Sequence, residues 1–346
     1  MKKILLNYRL DEMKKIFADD GIQSFRAIQV NEWILKGVDS FDEMKNLSKK
    51  LKEELEDLYE IGMPKIHSKM KSDIDGTTKY LLELGDKNLI ESVLMKYKHG
   101  YSACISSQVG CRMGCKFCAS SDMGLVRNLS CGEMVAQVIL MQADIGERIS
   151  NVVVMGIGEP FDNYENFIGF LKLIHDENNL NLGYRHITVS TSGLVDKIIS
   201  LADTGIPINL SVSLHTPNND ERSKIMPINN AVPIDKLVAG CKIYIEKTNR
   251  RITFEYALIK DFNDSINDAL ALFKLVKSLN CLINIIPINA VSESEFSRTT
   301  DVKQSEFVKT LEKRGIAVTV RRELGTDISA ACGQLRRRIV IQGDNE

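Results

Sequence analysis

Six times between residue 100 and the C-terminal tail, a short β-branched run precedes a stretch long enough to form a helix. The runs are SACISS (102–107), NVVVMG (151–156), HITVS (186–190), INLSVSL (208–214), ITFEYALI (252–259) and LINIIPI (282–288). Strands that alternate with helices pair in parallel through right-handed crossovers, because a tight turn can only return a chain antiparallel. One intervening stretch, CGEMVAQVILMQADIG, opens on Ser130 and Glu133, the S-x-x-E pattern that caps a helix start. Six units are too few to close an eight-fold barrel and predict an α/β fold with a partial (β/α)6 barrel. A further strand, IAVTVRR (316–322), leads into the tail. Before residue 100 the texture is different. LDEMKKIFADD, FRAIQVNEWILKGV and LSKKLKEELEDLYEIG carry apolar residues at helical spacing. They predict a small helical domain over 1–95, with a linking strand pair near 78–85 and 90–97, followed by a core over 96–300 and an extension over 301–346.

In parallel α/β folds, function collects at the carboxyl ends of the strands. Here the first strand runs into CRMGCKFC, the second into GIGEP, the third into TSG, the fourth into HTPNNDERSKIMPIN and the sixth into NAVSES. Cys111, Cys115 and Cys118 form C-x3-C-x2-C with no fourth cysteine close by. A structural zinc site needs four ligands. Three thiolates suit a four-iron cluster, whose fourth iron stays open to a small molecule. Gly110 and Gly114 would let the backbone approach such a cluster and donate N–H to its sulfurs. Two other readings stand beside it: a zinc ion completed by Cys104 or Cys332, and a C-x2-C redox pair that leaves Cys111 idle.

The N-terminal apolar run in MKKILLNYRLDE ends after three residues, and no stretch approaches a membrane span. With no export signal, the eight cysteines read as reduced thiols, ligands or catalysts in a cytoplasmic protein. Cys131, Cys241 and Cys281 sit in helix or strand patterns and read as core thiols. The net charge of −1 supports no global attraction to a polyanion, so any such case rests on local clusters. These are Arg321–Arg322, Arg336–Arg338 and KTNRR at 247–251.

C-x3-C-x2-C with Phe117 before the last cysteine resembles the signature of the radical SAM enzymes. CISSQVGC (104–111), MGIGEP (155–160), SLHTPNNDERSKIMPIN (213–229) and GTDISAACGQL (325–335) are together similar to the RlmN/Cfr family of RNA adenine methyltransferases. The likeness runs through essentially the whole chain. It implies a radical SAM core with a [4Fe-4S] cluster on Cys111, Cys115 and Cys118, and two molecules of S-adenosylmethionine (SAM) per turnover. SAM contacts carry over to Gly158, Glu159, Ser190, Ser213, Leu214, His215 and Asn289. Adenine C2 is electron-poor and cannot take a methyl by displacement, whereas a thiolate can. The resemblance accordingly implies that Cys332 becomes S-methylcysteine, and that a 5′-deoxyadenosyl radical activates its methyl for addition to adenine. Cys104 then frees the product by forming a disulfide with Cys332. Glu91, thirteen residues before Cys104, is the implied base for the C2 proton.

The implied substrates are an adenine of 23S rRNA and adenine 37 of tRNAs, with residues 1–95 as an RNA-binding accessory domain. The implied partners are these RNAs and an external one-electron reductant such as flavodoxin, acting on a monomer with no membrane attachment. A rival within the family is methylation at C8 of the rRNA adenine, which confers antibiotic resistance. Pro160 in MGIGEP favours C2, because the C8 branch resembles GEA there. A third class, a non-catalytic metal-binding module for RNA, predicts bound metal without SAM cleavage.

Overall fold

The β-branched runs form one ten-stranded sheet whose spatial order follows the chain from end to end. A computed structural model describes residues 2–121, 124–288, 296–330 and 334–335. The strands are β1 (Lys65–Lys71), β2 (Thr78–Glu83), β3 (Leu89–Tyr97), β4 (Gly100–Ile105), β5 (Ile149–Val154), β6 (Ile187–Thr191), β7 (Asn209–Ser213), β8 (Ile252–Leu258), β9 (Cys281–Pro287) and β10 (Ala317–Val320). From β4 to β10 every pairing is parallel. Three helices precede the sheet: α1 (Leu10–Asp19), α2 (Arg26–Ile34) and α3 (Lys49–Leu58). The crossovers carry α4 (Cys131–Ile145), α5 (Tyr164–His175), α6 (Val195–Asp203), α7 (Asn219–Ile225) with α8 (Ile234–Thr248), α9 (Ile266–Val276) and α10 (Asp301–Glu312). Ser130 and Glu133 form the expected reciprocal cap at the start of α4.

The pair expected near 78–85 and 90–97 is β2 and β3. Rather than linking two parts, these strands extend the sheet antiparallel beyond β4, and β1 adds a third strand that the sequence pattern did not suggest. All seven residues of β1 are exposed, so it has no apolar face to read. Its three lysines protect the open edge against pairing with another chain.

The ends of this sheet lie close together. Gly325 N donates to Asp75 Oδ2 (2.8 Å) in the turn between β1 and β2, only five residues after β10 ends at Val320. Five residues reach at most about 18 Å. Eight strand spacings of about 4.8 Å would separate β10 from β2 by roughly 38 Å in a flat sheet. The sheet must therefore curl into a partial barrel, and the tail crosses its open side.

One buried apolar cluster runs from the N-terminal helices (Met13, Phe17, Val30) through α4 and α5 to the strands (Val152, Val212, Phe254). A second lies on the other face of β3 and β4, where Val93, Met95 and Cys104 are covered by Leu324, Ile328, Ala330 and Leu335 of the tail. No helix among the described residues is long and apolar enough to cross a membrane.

Gly132 fixes how closely α4 approaches the N-terminal segment. A Cβ there would lie 2.6 Å from the carbonyl carbon of Leu6 and 2.7 Å from Asn7 Oδ1. Gly132→Ala should lower unfolding free energy by about 1–3 kcal/mol through overpacking. A shift in the urea midpoint at unchanged slope would report it.

Candidate active site

The site begins where β4 ends. Ser106, Ser107 and Gln108 leave the sheet fully buried, so their polar atoms must find partners inside the protein. Gln137 of α4 meets much of this demand. Its Oε1 accepts from Ser106 N (2.8 Å) and Ser92 Oγ (2.7 Å), and its Nε2 donates to Ser106 O (2.9 Å). Ser106 Oγ donates to Glu91 O (2.7 Å) and accepts from Ile157 N (2.9 Å). Gln108 Oε1 accepts from Glu159 N (2.8 Å). The cysteine loop and the 156–160 turn are thereby fixed to one another. Gly158, at φ 106°, passes so close to Gln108 that a Cβ would stand 2.5 Å from that residue's own.

Cys111, Cys115 and Cys118 line a cavity of about 180 Å³ at the carboxyl ends of the strands. Of the expected SAM contacts, Gly158, Glu159, Ser190, Ser213 and His215 line the same cavity. Leu214 turns its side chain into the core and offers only backbone to the rim. Asn289 lies outside the described residues, as does Cys332. Burial pushes the Cys111 thiol up to about 12, with Glu159 and Cys118 adding to the effect, and Cys115 is pushed well above the usual thiol range. A bare thiolate is therefore costly here, and a bound metal centre would take the place of the protons. Among the described residues, no three His, Cys, Asp or Glu side chains are gathered as ligands of one ion would be. Three soft donors spaced around one cavity suit an iron–sulfur cluster, which takes one thiolate at each of three irons.

Glu159 is buried, and its carboxylate braces two loops. Oε2 accepts from Ser192 N (2.7 Å) and Oε1 from Phe161 N (3.0 Å). Burial raises its pKa while these N–H groups oppose the shift. With about four lone-pair sites, the carboxylate keeps capacity for a cationic amine. His215 holds a left-handed backbone (φ 61°), and its Nδ1 accepts from Ala257 N (2.9 Å), which assigns the ring proton to Nε2. Burial, aided by Arg222, pushes its pKa down to about 3, so the ring stays neutral. The edge of Phe117 packs against it at 4.7 Å between centroids.

Two residues absent from the sequence reading complete this rim. Arg222 is fully buried, with Nη2 donating to Ser192 O (2.8 Å) and Ser213 O (2.9 Å), Nε to Leu214 O (3.2 Å) and Nη1 to Asn229 Oδ1 (3.0 Å). It joins the loops after β6 and β7. Glu255, in β8, lines the cavity and accepts from Asn284 Nδ2 (2.8 Å). A lone acid inside the apolar run ITFEYAL was a usable signal for it.

A second cavity, about 50 Å³, adjoins the first; Cys118, Ser120, Met155, Gly156 and Arg321 line both. Its other walls include Cys104, Val93, Ala330 and Leu335. The register Val93↔Cys104 puts Glu91 on the same sheet face as Cys104, one diagonal away. Glu91 is buried, with Oε1 3.7 Å from Lys79 Nζ. Ser120 Oγ donates to Leu335 O (2.9 Å), stitching the end of the tail to the cysteine loop. Of the basic clusters, Arg321 lines the cavities, and Arg336–Arg338 lie outside the described residues. The KTNRR run sits before β8, where Arg250 Nε donates to Ile208 O (3.2 Å), at the sheet end opposite the site.

Comparisons with known proteins agree along the whole chain. The radical SAM superfamily model matches residues 105–273, and that of the ribosomal RNA large subunit methyltransferase N-terminal domain matches residues 4–61. A probable dual-specificity RNA methyltransferase RlmN of Alkaliphilus oremlandii (strain OhILAs) is 55% identical over 339 residues, covering 98% of this chain and 99% of its own. One of Clostridium beijerinckii is 53% identical over 336 residues, covering 97% and 95%. The crystal structure of a radical SAM methyltransferase from Sphaerobacter thermophilus superposes with a TM-score of 0.92 at 41% identity, covering 96% of this chain and 99% of that one.

Arg222→Met should cost about 3–5 kcal/mol, because it leaves four buried acceptors without their donor. Chemical denaturation reads the loss directly, and a change below about 1 kcal/mol would show that the loops hold without it.

Proposed function

The chain belongs to the RlmN family of radical SAM RNA methyltransferases, and from that premise we propose that it methylates C2 of adenine in 23S rRNA and tRNA through Cys332 and Cys104. Its cofactors are a [4Fe-4S] cluster and SAM. When bound, they supply the methyl group and the one-electron chemistry that activates it. Cys111, Cys115 and Cys118 hold the cluster. Gly158, Glu159, Ser190, Ser213, Leu214, His215 and Asn289 hold SAM, with Glu159 accepting from its ammonium.

The remaining work falls to Cys332 and to Glu91 and Cys104, the latter two on the β3–β4 face. Cys332 carries the methyl as a thioether, because sulfur is the nucleophile that adenine C2 is not. After the carbon has joined adenine as a radical, one electron leaves the adduct for the one-electron carrier and Glu91 takes the C2 proton, which restores the aromatic ring. The Cys104 thiolate then attacks the Cys332 sulfur. A disulfide forms, the S–C bond breaks, its electron pair passes to the carbon, and a proton completes the methyl group.

The observation that carries this reading is the shared wall of the two cavities. Cys118, from the triad, lines the same cavity as Cys104, Ala330 and Leu335. Cys332 follows Ala330 by two residues in the sequence. The resolving thiol thus shares one compartment with the triad and with the tail residues Ala330 and Leu335, which supports the reading. Residues 1–95 serve as the RNA-binding accessory part, residues 96–300 as the SAM core and residues 301–346 as the carrier extension. An external one-electron reductant such as flavodoxin drives the cycle of a cytoplasmic monomer.

Alanine at Cys111, Cys115 or Cys118 should remove cluster iron and sulfide from anaerobically prepared protein; retention of four of each would contradict the ligand assignment. Cys332→Ala should leave the cluster but place methyl on neither protein nor RNA. Cys104→Ala should methylate Cys332 and then accumulate a covalent protein–RNA species on a denaturing gel. Normal turnover by Cys104→Ala would rule out disulfide release, and mass spectrometry of the modified adenosine checks C2 against C8.

A further inference from the structure

A lysine is almost never fully buried without a partner. Lys79, in β2, is only 5% exposed. Its Nζ lies 3.7 Å from Glu91 Oε1 and donates to Ser329 O at 3.3 Å. The pairings Leu81↔Glu91 and Lys79↔Val93 make Lys79 and Glu91 diagonal neighbours on the face that the tail covers. Ser329 itself has a left-handed backbone (φ 50°), which a serine adopts only at some cost. It precedes Cys332 by three residues.

The same hairpin holds the tail at two further points. Asp75 Oδ2 accepts from Gly325 N (2.8 Å), and Asp73 N donates to Asp327 Oδ2 (3.2 Å). Those contacts anchor the segment at the protein surface. Lys79 differs from them because it alone among these hairpin contacts also meets the carboxylate of Glu91.

We propose that Lys79 is a positioning residue for the release half of the reaction: it sets the Glu91 carboxylate and the Ser329 turn in register, so that the base addresses the adduct carried by Cys332. This rests on Glu91 as base and Cys332 as carrier, as given above. An ammonium suits the task. One hydrogen goes to a carbonyl and the charge faces the carboxylate, so both are held by the same group. If the tail lifts, Lys79 loses Ser329 O and Glu91 loses its cover together.

The test uses full-length protein carrying its cluster, with SAM, reductant and an RNA substrate in a single anaerobic turnover. Two quantities are followed: methyl on Cys332 by protein mass spectrometry, and the split between covalent adduct and released methylated RNA. Lys79→Met should methylate Cys332 to the wild-type extent yet release product at least tenfold more slowly, with adduct accumulating. Lys79→Arg, which keeps charge and donors, should recover part of the release rate. Lys79→Met combined with Glu91→Gln should be no slower than Glu91→Gln alone. If Lys79→Met does not fold, Lys79→Gln, which keeps a donor without the charge, makes the same measurement.

Wild-type release by Lys79→Met, or equal loss of methylation and release, overturns the proposal and leaves Lys79 a packing residue. Additive slowing in the double variant also overturns it. Adduct trapped by Glu91→Gln but not by the lysine variants means that the positioning role alone has failed. Normal release by Glu91→Gln means that the base assignment has failed, and the role of Lys79 with it.

Discussion

The side-chain amide of Gln137 is the junction on which the site's geometry depends. It is fully buried and satisfies both backbone groups of Ser106 at the point where β4 gives way to the cysteine loop. Through Ser92 and Ser106 it reaches β3, and through Ser106 Oγ it reaches Ile157 and the carbonyl of Glu91. Every bond here lies in low dielectric, where a satisfied network is rigid and a half-satisfied one is costly. One helix face thus sets the cysteine loop, the glutamate turn and the strand carrying Glu91 relative to one another. Arg222 does the equivalent for the loops after β6 and β7, by donating to three backbone carbonyls.

The curl of the sheet follows from a connection rather than from any strand. Strand–helix alternation is legible in the sequence because buried parallel strands demand β-branched runs, and six such runs became β4 to β9. Their periodicity leaves open whether the sheet is flat or curved. The five-residue step from Val320 to Gly325 decides it, since only a curled sheet lets it reach Asp75. That contact joins residues 250 positions apart, and no local pattern announces it.

Other parts were illegible for particular physical reasons. β1 has no apolar alternation because neither of its faces is buried. Arg222 stands among acids in HTPNNDERSKIM, where charge at that density reads as a solvated helix, and only the fold brings four acceptors around it. Residues 1–95 read as a unit because their helices are amphipathic, but the apolar faces of those helices join the same buried cluster as α4 and the sheet. By contrast, the triad and its rim were readable, because the carboxyl ends of parallel strands gather loops in one place. Glu91 carried no signal beyond family likeness: a glutamate in a strand gains meaning only once Cys104 and the tail are seen on its face.

The order of the strands also explains how the tail reaches the face of β3 and β4. Spatial strand order follows sequence order, so β10 lies at the edge across the open side from β1 and β2. Any segment after β10 can cross that opening without threading another connection. Its hold is modest: Leu324, Ile328 and Leu335 each contribute about 1.5–3 kcal/mol by burial, while each ordered residue costs about 1–2 kcal/mol of backbone entropy. The polar contacts of Asp73, Asp75, Lys79 and Ser120 therefore matter more here than they would in a helix or strand.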